Sequence, residues 1–357
     1  MRFIVTGGSG FIGSAVIRKI ISDTKNEVLN IDKLTYAANQ LSLAEVCKND
    51  RYQFYKQDIC NFQDLNELIK EYKPDIILHL AAETHVDRSI VAPNDFINTN
   101  IIGTYNLLEA SRIFWQSLDD NKQELFKFIY VSTDEVFGEL PHPNFSKLKK
   151  LPLFNEDSNY APSSPYSASK AGADHLVKAW NRTYKLPTII TNCSNNYGPY
   201  QNYEKLIPMI ISNAIQGKQI PIYGDGLQIR DWLFVDDHAD ALLKIAFHAK
   251  PGSRYNIGGK NEKKNIEVSD LICGILDKIY QGPDSFKNQI TFVEDRPGHD
   301  LRYAIDSTKI CKDLGWTPKE SFSSGIEKTI LWYLNNLQYL GISEPKLVKS
   351  INNSIKL

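Results

Sequence analysis

Short apolar runs alternate along the chain with longer segments whose apolar positions recur every three or four residues. The apolar runs are β-branched and aromatic in character, as expected for buried strands, and they lie at residues 3–5, 28–31, 76–80, 128–131 and 188–191. Helical periodicity is found at residues 11–22, 64–72, 98–114 and 166–184. This alternation predicts an α/β fold, in which a doubly wound parallel sheet is covered by helices on both faces.

The regular alternation of strand-like and helical segments ends at about residue 192, after which loops rich in Asn, Tyr, Gly and Pro become frequent. We therefore predict two units. Residues 1–191 should form a nucleotide-binding domain to which segments near 228–258 return, and residues 192–357 should form mainly a smaller, partly discontinuous substrate lobe. The tail after about residue 341 has no evident role.

Composition narrows the possible function classes. Of the 357 residues, 42% are apolar and 23% are charged, which excludes a disordered or fibrous chain. Lysine and arginine total 41 against 42 acidic residues, so there is no basic excess to favour nucleic acid. The five cysteines form no C-x-x-C pair, and no apolar run approaches the ~18 residues of a membrane span. We expect a cytoplasmic protein without disulfides, metal site or membrane contact.

A glycine motif, Gly7-x-x-Gly10-x-x-Gly13, follows the first predicted strand and opens the first predicted helix. In a Rossmann-type domain such glycines allow a tight turn and a close approach of backbone N–H groups to a pyrophosphate. Asp32 ends the second strand 19 residues later, where a carboxylate binds ribose and repels a 2′-phosphate, so NAD is favoured over NADP. Asp58 is placed to meet the adenine, although a loop-capping role is equally consistent with the sequence.

Tyr166 and Lys170 are four residues apart on a predicted helix, so both side chains lie on one face. A neighbouring ammonium should lower the pKa of the phenol, which would let Tyr166 take a hydroxyl proton while hydride leaves the same carbon. Taken alone, this common spacing is more typical of a surface helix pair. Its occurrence after the glycine motif favours the catalytic interpretation.

Thr133, Asp134 and Glu135 follow the strand predicted at 128–131, and ligands bind at strand C-termini in open parallel sheets. Two acids beside a hydroxyl can supply an acid, a base and a hydrogen-bond donor in one place. The alternative is structural: Asp134 would cap the next segment and Glu135 would be solvated.

With these motifs the chain resembles the extended short-chain dehydrogenase/reductases that act on nucleotide sugars, and among them the nucleotide-sugar 4,6-dehydratases. The resemblance extends over nearly the whole chain and is carried further by residues 34–37, 81–89, 191–199, 230–233 and 295–300. The Asp134–Glu135 pair separates this group from the related 4-epimerases.

The resemblance implies a mechanism. Tyr166, assisted by Lys170 and Thr133, takes the 4-hydroxyl proton of the hexose while the C4 hydride passes to NAD. Glu135 then removes the C5 proton, Asp134 protonates the departing C6 hydroxyl, and hydride returns to C6. The substrate implied is dTDP-glucose, in a step of rhamnose biosynthesis. UDP-glucose or CDP-glucose remain alternatives, followed by 4-epimerisation and by a catalytically silent NAD-binding protein.

The resemblance also implies two sets of binding residues. The NAD site should contain Gly7, Gly10, Phe11, Ile12, Gly13, Asp32, Lys33, Leu34, Thr35, Asp58, Ile59, Leu80, Ala81, Ala82, Thr84, Thr99, Tyr166, Lys170 and Asn196. The sugar-nucleotide site should contain Thr84, His85, Thr133, Asn195, Lys205, Leu206, Tyr223, Arg230, Asn265, Arg296 and His299. The cations at 205, 230 and 296 suit a diphosphate dianion. A homodimer is implied, joined as a four-helix bundle through the helices near 98–116 and 166–185.

Overall fold

A computed structural model describes residues 1–342, and its strands alternate with helices along most of the chain. The strands are β1 (Arg2–Thr6), β2 (Glu27–Asp32), β3 (Tyr52–Lys56), β4 (Ile76–His79), β5 (Lys127–Thr133), β6 (Thr188–Cys193), β7 (Asn195–Tyr197), β8 (Ile220–Tyr223), β9 (Ile229–Phe234), β10 (Arg254–Ile257), β11 (Glu262–Lys264) and β12 (Ile290–Val293). The main sheet is parallel throughout and has the order β10-β6-β5-β4-β1-β2-β3.

The helices are α1 (Phe11–Asp23), α2 (Phe62–Tyr72), α3 (Val86–Val91), α4 (Pro93–Phe96), α5 (Thr104–Gln116), α6 (Asp120–Leu125), α7 (Pro165–Tyr184), α8 (Leu206–Gln216), α9 (Val235–His248), α10 (Asn265–Tyr280), α11 (Thr308–Leu314) and α12 (Phe322–Asn335). Short 3₁₀ turns lie at Gln40–Leu43, Asp134–Phe137, Phe286–Gln289 and Leu337–Leu340. None of the helices within residues 1–342 is long and apolar enough to cross a membrane.

Both faces of the main sheet are buried. Phe3 and Val5 of β1 pack with α1 and α9 on one face, whereas Ile4 packs with α2, α5 and α7 on the other. Strands covered on both sides need apolar residues at every position, which explains why the runs seen in the sequence are continuous rather than alternating. The predicted doubly wound α/β class is confirmed.

The chain after β6 both leaves the sheet and returns to it. Helices α8, α10 and α12 surround a separate apolar core with Trp232 and Phe322, beside the small sheets β11-β9-β7 and β12-β8. In contrast, α9 packs against α1, and β10 pairs with β6 at the edge of the main sheet. The tail after about residue 341 lies almost wholly outside the described residues.

The helix predicted over residues 98–114 is present, but its first part, Ile97–Gly103, is a π-helical segment that leads directly into α5. The wider turn carries Asn100 into the interior, where its side chain accepts from the Glu83 N–H at 2.9 Å and donates to the Glu83 carbonyl at 3.0 Å and to Ser169 at 2.8 Å. Apolar periodicity does not reveal such a segment, because its cause is a set of polar contacts distant in sequence.

His79 at the end of β4 is fully buried and lies between two threonine hydroxyls. Its Nδ1 is 2.8 Å from Thr6 Oγ1, and its Nε2 is 2.9 Å from Thr104 Oγ1. Burial lowers the pKa of His79 to about 3, and the nearby Lys170 acts in the same direction. The folded protein therefore holds this imidazole neutral at pH values where the unfolded chain would protonate it.

Replacing His79 should change how stability depends on pH. Because the folded-state pKa is lowered, the unfolded chain binds the extra proton below about pH 6.5, and wild-type stability is lost as the pH falls. From pH 7.5 to 5.5 the unfolding free energy of the wild type should fall relative to His79→Gln by about 1.4 kcal/mol. Urea unfolding at both pH values measures the difference, with the exposed His248→Gln as control. Equal pH slopes for His79→Gln and wild type would contradict the prediction.

Candidate active site

A cavity of about 290 Å³ opens at the C-terminal edge of the main sheet, where β1, β2, β4, β5 and β6 end. Its other walls come from the first turns of α1 and α7 and from the segment after β7. Most of the predicted site residues line this one cavity: Gly7, Gly10, Phe11, Ile12, Gly13, Asp32, Lys33, Thr35, Asp58, Ile59, Leu80, Ala81, Ala82, Thr84, His85, Thr99, Thr133, Asp134, Glu135, Tyr166, Lys170, Asn195, Asn196 and Lys205.

The remaining predicted residues lie outside the cavity wall: Leu34, Leu206, Tyr223, Arg230, Asn265, Arg296 and His299. Several of these residues are neighbours of one another. His299 Nδ1 is 2.6 Å from an oxygen of Asp295, and its ring meets that of Tyr223 edge-on at 6.1 Å. Arg230 is buried and stacks 4.3 Å from the centre of the Tyr303 ring.

The turn at Gly7–Gly13 brings backbone segments so close together that side chains would not fit between them. Gly7 has a φ of 70°, and a Cβ on it would lie 2.7 Å from the Ala81 backbone. At Gly13, a Cβ would lie 2.2 Å from the Gly7 carbonyl, so only glycine lets α1 pack this tightly on β1. Gly10, the N-cap of α1, faces the cavity, and no side chain caps the helix. The first-turn amides are therefore available to an anion such as a pyrophosphate.

Asp32 lies at the end of β2, beside this turn. Its two carboxylate oxygens accept the N–H groups of Ser9 at 3.0 Å and Leu34 at 2.8 Å, which fixes the carboxylate on the cavity wall. Burial is the main influence on Asp32 and raises its pKa. Each carboxylate oxygen of Asp32 keeps a lone pair for a ribose hydroxyl.

The neighbouring Lys33 is held by two other residues of the cavity. Its Nζ lies 3.6 Å from Asp58 and donates to Thr99 at 3.2 Å.

At the end of β5, Thr133 rather than Asp134 caps the segment that follows. Its hydroxyl oxygen accepts the Glu135 N–H at 3.2 Å, so the structural role suggested for Asp134 is wrong. Asp134 is only 1% exposed, and one of its oxygens accepts the Thr133 hydroxyl at 3.3 Å. Within residues 1–342 its other oxygen is buried without a hydrogen-bond partner. A carboxyl in this setting favours its protonated form.

The two adjacent acids have different electrostatic surroundings. Burial raises the pKa of Asp134 well above its usual value, and the carboxylates of Glu135 and Asp231 add to this effect. Burial also raises the pKa of Glu135, but Arg230, Arg296 and Lys205 act against it. The cations therefore favour ionisation of Glu135, while nearby negative charge favours a proton on Asp134. This difference separates a base from an acid.

Tyr166 and Lys170 lie in the first turns of α7, which begins at a capping box formed by Ser164 and Ser167. Lys170 is nearly fully buried; its Nζ donates to the Val131 carbonyl at 2.8 Å and lies 4.2 Å from the centre of the Tyr130 ring. Burial lowers the pKa of Lys170 to about 8. Both Tyr166 and Lys170 line the cavity together with Thr133.

The pKa of Tyr166 is shifted in the direction opposite to the one we predicted from the sequence. Burial raises it well above its usual value, Glu135 and Cys193 add to the increase, and a hydrogen bond with Thr133 opposes it. The prediction was wrong because burial desolvates the phenolate and the neighbouring acidic groups disfavour a second negative charge. Deprotonation of Tyr166 therefore needs further positive charge within the cavity.

Sequence reasoning missed several cavity residues, among them Tyr36, Gln57, Glu83, Cys193, Gln201 and Glu204. Cys193 ends β6, so the rule that ligands bind at strand C-termini could have found it. Tyr36 and Glu204 had no comparable signal, because they meet through Arg88, which stacks 3.7 Å from the Tyr36 ring centre and pairs with Glu204 at 2.7 Å.

The acidic stretch at 236–238 has a structural role. Its His238 Nδ1 lies 2.9 Å from the Asn196 side-chain oxygen, and its Asp237 accepts the Glu320 N–H at 2.9 Å. Residues 1–342 contain no group of three or more His, Cys, Asp or Glu side chains arranged to hold a metal ion. The stretch therefore serves the fold and supports the cavity residue Asn196.

The parallel sheet with its glycine turn, the helix that carries Tyr166 and Lys170, and the acidic pair Asp134–Glu135 are together typical of a short-chain dehydrogenase/reductase of the dehydratase type. Comparison with known proteins agrees with this class. The family model described as GDP-mannose 4,6 dehydratase matches residues 4–329, so the chain belongs to that family.

Within the family, the similar curated proteins carry a more particular name. The chain is 58% identical to "dTDP-glucose 4,6-dehydratase 1" of Escherichia coli (strain K12), over 95% of this chain and 94% of the relative. It is 56% identical to the dTDP-glucose 4,6-dehydratase of Neisseria meningitidis serogroup B (strain ATCC BAA-335 / MC58), over 94% of each chain.

Solved structures agree with the sequence matches. The dTDP-glucose 4,6-dehydratase of Bacillus anthracis str. Ames, in complex with NAD, superposes with a TM-score of 0.82 at 40% identity, covering 96% of this chain and 99% of that one. The dTDP-glucose 4,6-dehydratase of Streptomyces venezuelae, with NAD and TYD bound, has a TM-score of 0.84 at 39% identity, covering 95% of this chain and 98% of that one. A UDP-glucose 4-epimerase from Thermus thermophilus is 26% identical, with a TM-score of 0.80 and 94% and 99% covered.

Cys193 should be chemically inert although it lines the cavity. Burial raises the pKa of its thiol to about 12, so at pH 8 roughly one molecule in ten thousand carries the reactive thiolate. Iodoacetamide followed by peptide mass spectrometry should label the exposed Cys47 well before Cys193. Alkylation of the two cysteines at equal rates would contradict this prediction.

Proposed function

We propose that the chain catalyses the NAD-dependent dehydration of dTDP-glucose to dTDP-4-keto-6-deoxyglucose, a hydro-lyase reaction. The observation that carries the proposal is the pair Asp134 and Glu135, held at the end of β5 in the same cavity as Tyr166 and Lys170. Oxidation at C4 requires only a base and a hydride acceptor. Loss of water from C5 and C6 requires in addition an acid and a second base.

The cavity suits NAD on three counts. A Cβ at Gly10 would meet only the Gly7 carbonyl, at 3.2 Å, which indicates room for a pyrophosphate over the first turn of α1. Asp32 is fixed where an adenosine ribose would be bound. Relatives with similar folds are described in complex with NAD. When bound, NAD supplies the hydride acceptor for C4 and the hydride donor for C6.

In the oxidation step, Tyr166 takes the proton of the 4-hydroxyl. Thr133, next to Tyr166, donates a hydrogen bond to O4, and the Lys170 ammonium, one turn further along α7, contributes positive charge to the cavity. This charge matters because burial raises the pKa of Tyr166, so the phenolate forms only when cations within the cavity stabilise it. The remaining cofactor-site residues bind and orient the dinucleotide along the wall from Gly7 to Asn196.

In the elimination step, the 4-keto group acidifies the C5–H bond. Glu135 removes the C5 proton, and Asp134 donates its proton to the C6 hydroxyl, so that water leaves and a C5–C6 double bond forms. Hydride then adds to C6 while C5 regains a proton. The proposal is supported by the different surroundings of the two acids, since cations face Glu135 whereas carboxylates face Asp134.

We also propose that the sugar nucleotide lies between the cavity and the substrate lobe. Lys205, Arg230 and Arg296 all influence the pKa of Glu135, so they carry positive charge to this side of the cavity, as a diphosphate requires. The rest of the predicted set would bind the sugar, phosphates and base: Thr84, His85, Thr133, Asn195, Leu206, Tyr223, Asn265 and His299. We propose the corresponding division of the chain: residues 1–191, with segments near 228–258, bind NAD, and residues 192–357 bind mainly the sugar nucleotide.

The choice of dTDP-glucose over UDP-glucose or CDP-glucose rests on the names of relatives that are 54–58% identical to this chain. A 4-epimerase is not favoured, because the epimerase structures are more distant and the acidic pair has no task in epimerisation. A cytoplasmic location and a step in rhamnose biosynthesis remain predictions.

A homodimer through a four-helix bundle also remains a proposal. Its support is an exposed apolar face on adjacent helices: Ile97, Ile102, Tyr105 and Tyr184 are each more than 40% exposed. Tyr105 meets Trp180 edge-on at 5.8 Å, so the side chains of α5 and α7 form one continuous surface. Apolar residues of this size on one face are typical of a protein interface.

The substrate assay and two acid variants test the proposed chemistry together. With dTDP-glucose and NAD in D₂O, the wild type should form a 4-keto-6-deoxy product that carries deuterium at C5. Glu135→Gln should lose about 10²–10⁴ in kcat and fail to exchange C5, because its base is missing. Asp134→Asn should lose a similar factor, because the C6 hydroxyl departs without a proton. NMR and mass spectrometry of the product measure both effects.

Glu124→Gln, an exposed change on α6, is the control and should keep the wild-type rate. Equal rates for both acid variants and wild type would refute the assigned roles. Turnover of UDP-glucose in preference to dTDP-glucose would refute the substrate, and a 4-epimer as product would refute the reaction.

Ile102→Asp should disrupt the proposed dimer. A charge at the centre of an apolar bundle is costly to desolvate, so sedimentation at micromolar concentration should show twice the chain mass for the wild type and the chain mass for the variant. Leu125→Asp, at an exposed position on α6, should stay dimeric. A monomeric wild type would contradict the proposal.

A further inference from the structure

Asp174 is a fully buried carboxylate to which neither the oxidation step nor the elimination step assigns a task. It lies one helical turn beyond Lys170, just as Lys170 lies one turn beyond Tyr166, so the three side chains follow one face of α7. A buried carboxylate is costly unless it is well paired. Its partners therefore indicate what it does.

One oxygen of Asp174, Oδ2, has three polar neighbours. It accepts the Tyr160 hydroxyl at 2.8 Å and the Asn192 side-chain amide at 3.2 Å, and Arg254 Nη2 lies 3.8 Å away. The same Asn192 nitrogen also donates to the Thr133 carbonyl at 2.9 Å. A single amide thus connects the Asp174 carboxylate to the residue that precedes the acidic pair.

The other oxygen, Oδ1, is buried without a hydrogen-bond partner within residues 1–342. The Ser132 hydroxyl on β5 is likewise buried without a partner in this part of the chain, and Ser132 is the largest influence that lowers the pKa of Asp174 and so favours its ionised form. Arg254 and Lys170 favour the ionised form as well, against the effect of burial. Asp174 is therefore a carboxylate between two cations, attached to β5 and β6.

Lys170 depends on this charge. The ionisable groups near it are Asp174 from its own helix, His79 from β4, Tyr130 from β5 and Cys193 from β6, and Tyr166 lies one helical turn before it. The pKa of His79 is lowered, and those of Tyr130 and Cys193 are raised, so all three are neutral near pH 7. Asp174 is the largest influence that opposes the lowering of the Lys170 pKa by burial.

We propose that Asp174 is a positioning residue, whose carboxylate keeps Lys170 in its ammonium form and, through Asn192, holds Thr133 and the acidic pair in register with Tyr166. The proposal rests on the proposed function for its catalytic consequence. Its electrostatic half concerns only side chains of this chain, so it is measurable without substrate.

The test is the titration of Lys170 in wild type and in Asp174→Asn, which keeps the shape of the side chain. Protein labelled with carbon-13 at lysine Cε is titrated by NMR, and Lys170 is assigned as the resonance missing from Lys170→Arg. The pKa of Lys170 should be near 8 in the wild type and lower by about one pH unit in Asp174→Asn. Asp174→Glu should restore most of the wild-type value. An unchanged Lys170 titration in Asp174→Asn would overturn the electrostatic half.

Activity supplies a second readout. The alkaline limb of the kcat profile should move down with the Lys170 pKa in Asp174→Asn, whereas an equal loss at every pH would indicate a structural role only and overturn the proposal. Asn192→Ser, which changes no charge, should lower kcat by about tenfold at every pH and leave Lys170 unchanged. An undiminished kcat in Asn192→Ser would overturn the positioning half, even if Asp174→Asn fails to fold. A wild type inactive on dTDP-glucose would instead refute the proposed function, and the NMR result would still stand.

Discussion

The hydrogen bond from the Lys170 ammonium to the Val131 carbonyl joins the two elements that carry the chemistry. It attaches the first turns of α7 to the last residues of β5, so that Tyr166 is held beside Thr133, Asp134 and Glu135. A buried lysine is tolerated there because the carbonyl, the Tyr130 ring and the more distant Asp174 together replace water. The Asn192 amide, which donates to Asp174 and to the Thr133 carbonyl, is a second connection between α7 and the end of β5.

Burial is the largest influence on the pKa values of the four ionisable groups that the proposed chemistry uses. It raises the pKa values of Asp134, Glu135 and Tyr166 and lowers that of Lys170. What distinguishes the two acids is the balance of charge nearby: Arg230, Arg296 and Lys205 outrank Asp300 at Glu135, whereas Glu135 and Asp231 outrank Arg230 at Asp134. Two acids adjacent in sequence can therefore serve as base and acid, because a low-dielectric interior enlarges small differences in surroundings.

Contacts between segments distant in sequence shape the outer wall of the cavity. Arg88 pairs with Glu204 at 2.7 Å, Arg296 approaches Asp87 at 3.4 Å, and the Lys205 ammonium donates to the Thr84 carbonyl at 3.1 Å. Exposed ion pairs of this kind stabilise the fold by only about 1 kcal/mol or less each. Their main effect is to set the position of the segment 202–205 against the segment 84–88, where a sugar nucleotide would enter.

The sequence alone determined the strand–helix alternation, the glycine turn, Asp32 and the Tyr166–Lys170 step, because periodicity and short motifs depend on neighbours within a few residues. It also placed Thr133, Asp134 and Glu135 at a strand end, through the rule for parallel sheets and a family resemblance. Only the tertiary structure decided the π-helical turn at Asn100, the raised pKa of Tyr166 and the role of Thr133 as cap. The same holds for the partners of Asp174, which come from β5, β6 and β10. Desolvation and long-range hydrogen bonds depend on which segments meet in space, and no local pattern records that.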